Sequence, residues 1–279
     1  MSTGIFETWR RLPDTAAHDF KVKMRFPRRL PSGVFGVDLL VDPKEKLFSL
    51  CYQAKPSAET VTHIVADLII PRLLAHDGHF VLHCGMVNSS RGAIGFMGPS
   101  GRGKSTMTAG LHNLGMALMG DDAVVIDCKD CTYSAERVYP SLRLFPDSID
   151  QLFTNVVHTA PVADYTSKQH VSFVSGPSRA PLSALFSIVE PTDEVRIDKL
   201  KFSDACMALI ANSFALDAAD TIEAKRRFAK ASDVACHVPV YELHYPRDYA
   251  SLTSVHAKIF ERIGLPLPDK GETRQSTAT

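Results

Sequence analysis

Residues 95–122, GFMGPSGRGKSTMTAGLHNLGMALMGDD, gather the side chains best suited to chemistry: a run of glycines, a lysine followed by the two hydroxyls of Ser105 and Thr106, and two adjacent aspartates. Within them, residues 98–105, GPSGRGKS, fit the pattern G-x-x-x-x-G-K-[ST], whose glycines let successive backbone N–H groups converge on one anion. Gly98, Pro99, Ser100, Gly101, Arg102 and Gly103 would form the cradle. Lys104, Ser105 and Thr106 would open a helix whose amino end adds partial positive charge. Lys104 suits the β and γ phosphates of a nucleoside triphosphate, and the Ser105 hydroxyl suits a magnesium ion. The structural alternative is a glycine turn ahead of an ordinary helix.

Asp121 and Asp122 follow Lys104 at a spacing that fits a helix of about ten residues and a strand of about five returning parallel to the first. Such a path brings both carboxylates beside the loop, where they can hold the metal or take a proton from an attacking hydroxyl. As adjacent strand residues they would point opposite ways and so divide those tasks. The plainer reading is a solvated turn ahead of AVVI. Many phosphate-loop ATPases place an aspartate and a water-polarising glutamate on a more distant strand. Here Glu190, closing ALFSIVE, is the comparable residue, though no aspartate precedes it. His83 lies in HFVLHCGMVNSSRGAIGFMG, which reads as two strands about a polar turn at 88–92. A hairpin about that turn sets His83 opposite Met97, next to Gly98. There it could contact the γ phosphate or tune an aspartate, where an apolar strand would otherwise make it a core histidine.

The elements that must position these groups follow from apolar periodicity. FKVKMRF, SGVFGVDLLVD and KLFSLCYQ predict short strands over 20–53, and apolar spacing after Ser57 predicts a helix over 58–76, bent near Pro71. A helix over 104–113 breaks at Gly115, and MALMG, AVVIDC and AERVYPSLRLF read as strands. SALFSIVE reads as a buried strand, DACMALIANSF and ASDVACHVP as helices, VYELHYP as a strand, and YASLTSVHAKIFERIG as a closing helix.

The 279 residues are 45% hydrophobic, enough to bury a sizeable core, and 31 basic against 31 acidic side chains give no broad field for nucleic acid or anionic lipid. Residues 1–21 lack the apolar centre of a signal peptide, and no apolar run approaches the roughly 18 residues that a membrane helix needs. The reading is a cytoplasmic protein with neither membrane nor nucleic acid as a partner. Six scattered cysteines fit reduced thiols, and CKDC at 128–131 reads as a hairpin tip rather than a zinc or redox pair.

With LHCGMV, GPSGRGKST and MGDDAVVI in this order and spacing, the chain resembles the HPr kinase/phosphorylase family. It is most similar to the HPr-kinase-like enzymes of lasso-peptide and other modified-peptide gene clusters. YPSLRLFPDS, APLSALFSIVEP and PVYELHYPRDYASL extend the likeness over most of 80–260. The resemblance implies an α/β phosphate-loop kinase core of the HPr kinase C-terminal domain type with a small β-rich N-terminal unit. Its divisions would be 1–76, 77–265 and a tail at 266–279 read as frayed. ATP and Mg2+ are the implied cofactors, with Ser105 and Asp121 on the metal, Asp122 taking the acceptor proton, and His83 matching the family histidine upstream of the loop. Arg143, near the family's signature arginine, would neutralise the transferring phosphate or else hold a surface salt bridge. The implied partner is a peptide or small protein with an acceptor serine, and a homo-oligomer is compatible with it. Val125 stands where a glutamate often follows the aspartate pair, and the family's glycine-rich signature has no counterpart, so neither HPr nor the phosphorylase reaction is implied. An HPr(Ser) kinase-like protein kinase and a phosphate-loop ATPase switch are the alternatives.

Overall fold

Short apolar runs punctuated by glycine, proline and polar turns produce strands along most of the chain. The computed structural model describes residues 9–13, 18–30, 33–52, 56–154 and 158–267. The tail read as frayed falls outside them from 268 onward. Near the start, β1 (Arg10–Arg11), β2 (Val22–Leu30), β3 (Gly33–Asp42) and β4 (Leu47–Tyr52) form one sheet in the order β1-β4-β3-β2. Val37, Leu39, Val41, Phe48 and Leu50 of this sheet share a core with Ile64, Ile69 and Leu73 from the helical segment that follows, and with the distant Leu216.

That segment starts at Ser57, whose side chain accepts from the Thr60 N–H at 3.1 Å and caps the helix. It runs as α1 (Ala58–His63), a π-helical turn (Ile64–Ile69) and α2 (Ile70–His76). The Ile70 N–H bonds back five residues to the Val65 carbonyl, just before Pro71, which has no N–H to offer the ladder. The irregularity expected at Pro71 is therefore a widened turn preceding it.

Next come β5 (Phe80–Leu82), β6 (Cys84–Ser89) and β7 (Gly92–Met97). Cys84, not His83, lies opposite Met97, because Ser89 pairs with Gly92 across a two-residue connection. The expected hairpin thus forms one residue out of register, and His83 falls in the break between β5 and β6. α3 (Lys104–Asn113) crosses over to β8 (Ala117–Gly120), which runs in the same direction as β7 with β6 between them. β9 (Val124–Lys129) and β10 (Thr132–Arg137) form a hairpin with CKDC at its tip, and all six cysteines are free. β11 (Arg143–Leu144), α4 (Pro146–Leu152), β12 (Thr159–Ala163) and β13 (Thr166–Val171) follow, their strands forming a small separate sheet in the order β11-β13-β12.

β14 (Arg179–Ile188) is the spine of the main sheet, and β15 (Arg196–Lys199), α5 (Phe202–Ala211), α6 (Thr221–His237), β16 (Val240–His244) and α7 (Leu252–Ile263) complete the chain. β14 is antiparallel to β10 over its first half and parallel to both β7 and β16 over its second, joining nine strands. Successive residues of β14 serve opposite faces. Phe186 packs with Phe96, with Met107 of α3 and with Ile259 of α7 on one side. Leu185 packs with Met97, with Leu209 of α5 and with Val234 of α6 on the other. Among the described residues no helix is long and apolar enough to cross a membrane.

Candidate phosphate-binding site

The carboxyl ends of the parallel strands β7, β14 and β16 meet at one edge, where open α/β sheets place their ligands. Gly98 there has φ 143°, and a Cβ on it would come within 2.6 Å of the Ile188 carbonyl oxygen at the end of β14. Gly103 has φ 95°, with the Tyr245 hydroxyl 2.5 Å from where a Cβ would lie. Only glycine meets both demands, so these positions fix the curl of the loop. The Tyr245 hydroxyl donates to the Arg102 carbonyl at 3.1 Å, and the Arg247 guanidinium donates to the Gly101 carbonyl. Asn212, at the end of α5, makes two further ties. Its Oδ1 accepts from the Gly98 N–H at 2.8 Å, and its backbone carbonyl accepts from the His83 N–H at 2.7 Å.

Lys104 opens α3, and its ammonium donates to the Gly98 and Pro99 carbonyls at 2.7 and 3.1 Å. Burial pushes its pKa below the usual lysine value, opposed by the charges of Asp121 and Asp122. Ser100, Gly101, Gly103, Lys104, Ser105 and Thr106 line one side of a cleft of about 300 Å³. His83, Asp122, Arg143 and Lys168 are among the residues on its other walls. The Arg102 side chain pairs instead with Glu190 at 2.5 Å. Glu190, the alternative catalytic carboxylate, is 76% exposed and committed to that arginine, outside the cleft lining.

β8 ends at Gly120, so Asp121 and Asp122 occupy the bend after it rather than strand positions. Asp122 takes the left-handed conformation at φ 77°, and this turn, not strand alternation, gives the two carboxylates their different surroundings. Asp121 is buried, and its oxygens make no hydrogen bond of good geometry, the Ser105 hydroxyl being its near polar neighbour. Burial and the charge of Asp122 push its pKa up to about 7, against the pull of the neighbouring Ser105 hydroxyl. A buried carboxylate without a well-formed hydrogen bond, beside a hydroxyl at the phosphate loop, fits a magnesium ion. Magnesium takes one or two carboxylates and completes its shell with phosphate oxygens and water. The described residues hold no cluster of three or more histidine, cysteine or acidic side chains able to hold a metal by themselves.

Asp122 is served differently. Its Oδ1 lies 3.2 Å from His83 Nε2, and its Oδ2 is in an ion pair with the Arg143 guanidinium. Burial pushes its carboxyl up, but the hydrogen bond and charge of His83 outweigh that and hold it below the usual aspartate value. His83 itself is 37% exposed at the cleft and stacks on Phe214 with centroids 5.9 Å apart.

Arg143 does not hold a surface salt bridge: it is buried at the wall of the cleft. It is 5% exposed, one end paired with Asp122 and the other with Asp67 of the π-helical turn. His63, one helical turn earlier, brings its Nδ1 to 2.6 Å from the same guanidinium nitrogen that Asp67 engages. Lys168 of β13 lines the cleft without an ion pair among the described residues, its ammonium 5.2 Å from the Phe145 ring centroid. Asp67, His63, Lys168 and Asn212 were not singled out from the sequence. An aspartate four residues after a histidine inside the apolar run HIVADLIIP was the one available signal.

Neither a family model nor a curated protein matches the chain. Among solved structures, the Hpr(Ser) kinase/phosphatase from Coxiella burnetii is similar over 66% of this chain and 97% of its own, at 10% identity and a TM-score of 0.35.

Proposed function

We propose that the protein is an ATP-dependent kinase that transfers the γ phosphate to a hydroxyl of a peptide, with serine as the preferred acceptor. The observation that carries this reading is Asp122: a carboxylate held below the usual aspartate value chiefly by His83, paired with Arg143, and lining the same cleft as Lys104 and Ser105. The loop N–H groups and Lys104 bind the phosphates, and Ser105 with Asp121 would hold Mg2+. Bound there, the ion neutralises phosphate charge. Asp122 accepts the hydrogen bond of the acceptor hydroxyl and takes its proton as the new P–O bond forms and the bond to ADP breaks; the proton then leaves to solvent through the cleft, and His83 holds Asp122 in place. Lys168, which lines the cleft with no ion pair among the described residues, would answer charge on the transferring group. The lasso-type precursor peptide is the finer part of the proposal and rests on the likeness of the quoted sequence segments alone.

Mass spectrometry of serine-containing peptides incubated with the protein, ATP and magnesium tests the reading. Phosphopeptide formation coupled one-to-one to ADP release is the expected result. ATP consumption indifferent to every hydroxyl acceptor would favour the ATPase switch.

A further inference from the structure

The buried ion triad Asp67–Arg143–Asp122 has its catalytic end in the cleft and its other end on the N-terminal helical segment. We infer that Asp67 is a positioning residue of the phosphotransfer site, holding Arg143 so that the guanidinium fixes Asp122 in its left-handed turn facing the cleft. This inference rests on the kinase reading for its consequence in turnover, but its geometry stands apart from it.

Three observations support it. Asp67 and Arg143 are each almost fully buried, with side-chain exposures of 6% and 5%; burial and the neighbouring aspartates push the Asp67 carboxyl well up, burial pushes the Arg143 guanidinium down to about 10, and their direct contact is what offsets both. The residues at the two ends come from segments far apart in the chain: Asp67 from the π-helical turn and Asp122 from the bend after β8. Arg143 sits on the two-residue strand β11, too short to fix a long side chain by itself, so the carboxylates decide where its planar fork points. The second tie between these segments is independent. Asp164, between β12 and β13, accepts from the Ser57 N–H at 3.0 Å and from the Thr60 hydroxyl at 2.9 Å, and its own N–H donates to Thr60 Oγ1 at 2.8 Å. The helical segment is thus bolted at both Asp67 and its cap to the small sheet that carries Arg143 and Lys168.

The widened turn is what makes the placement work. Asp67 lies within residues 64–69, whose other buried members, Ile64 and Ile69, face the N-terminal core. A π turn changes the angular step between residues, so one stretch can present its isoleucines to the first sheet and its aspartate to Arg143.

A double-mutant cycle tests the inference. Asp67→Asn keeps the shape and removes the charge; Arg143→Met removes the cation. Each is expected to lower kcat for ATP-dependent peptide phosphorylation by about tenfold to a hundredfold, with KM for ATP changed little, as for removal of an outer partner of a reacting group. The double variant should be no slower than Arg143→Met alone, because Asp67 acts only through Arg143. Asp67→Glu, which restores the charge at a slightly altered reach, should recover part of the rate. Hydrogen exchange read by mass spectrometry supplies a measure that needs no activity. Residues 119–124 should lose protection equally in Asp67→Asn and Arg143→Met, while 37–50 keep theirs. Multiplicative losses in the double variant, or unchanged exchange at 119–124, would overturn the positioning role. A wild-type protein that phosphorylates no peptide would overturn the kinase reading, and the exchange result would then decide the positioning by itself.

Discussion

Asp122→Asn keeps a side chain that tolerates the left-handed backbone, so it tests chemistry without disturbing the turn. The expected outcome is binding of MgATP close to wild type by calorimetry and a loss of turnover of about a hundredfold to ten-thousandfold, the usual worth of a general base. Asp121→Asn should instead raise the magnesium concentration needed for half-maximal rate, since its buried oxygens, without a well-formed hydrogen bond, are the ones suited to the ion. Equal behaviour of the two variants would remove the division of labour. Lys168→Ala is expected to weaken ATP binding more than ADP binding, because in the proposed mechanism this cleft-lining cation answers the charge of the transferring phosphate. An equal loss for both nucleotides, measured by titration calorimetry, would place Lys168 elsewhere. At this scale the sequence disclosed what is local: GPSGRGKS and the aspartate pair sit within 25 residues of one another and announce themselves by spacing. Arg143 was named, but its burial was not foreseen, since Asp67 lies 76 positions earlier and nothing in the spacing links them.

Helices α3 and α7 meet where Gly110 faces His256. A Cβ on Gly110 would lie 2.6 Å from the imidazole Cε1, so the pair sets how closely the helix that follows the glycine loop sits against the closing one. His256 is buried with Nε2 unpartnered, and burial drives its pKa down to about 4. A depressed histidine is neutral in the folded chain and protonates more readily once unfolded. Its contribution is therefore fully present above the unfolded value of 6.5 and is lost as pH falls from there toward about 4. The loss amounts to about 3 kcal/mol. Denaturant unfolding between pH 7 and pH 4.5 should show this decline in wild type and a shallower one in His256→Leu. Identical slopes would exclude His256 as its source. Apolar periodicity revealed both helices and most strands, each burying one face, but not β1, β12, β13 or β15. It missed the π turn, whose Val65-to-Ile70 bond leaves the apolar pattern intact, and it slipped the β6–β7 register by one because turn length, not polarity, sets it.

Across the whole molecule, the first 76 residues contribute both a sheet with its own core and the counter-charge for a buried arginine. A fragment starting at residue 77 would keep the phosphate loop but leave Arg143 with Asp122 alone. Removing one partner of a buried pair costs about 3–5 kcal/mol, so this fragment should melt well below the full chain in calorimetry. An unchanged midpoint would show the N-terminal part to be dispensable for stability. The fold class was readable because crossovers of strand, helix and strand leave alternating patterns. The small sheet β11-β13-β12 was not, since its strands are short and in part polar. The loop itself carries a last consequence, one of timing. Its eight residues are contiguous, yet the Gly98 N–H waits for an acceptor 114 positions downstream and the Arg102 carbonyl for a donor 143 positions downstream. A chain emerging from the ribosome therefore displays the motif long before it owns the pocket. Until Tyr245 has been made, nucleotide has no finished cradle to bind, and it cannot steady the half-built sheet during synthesis.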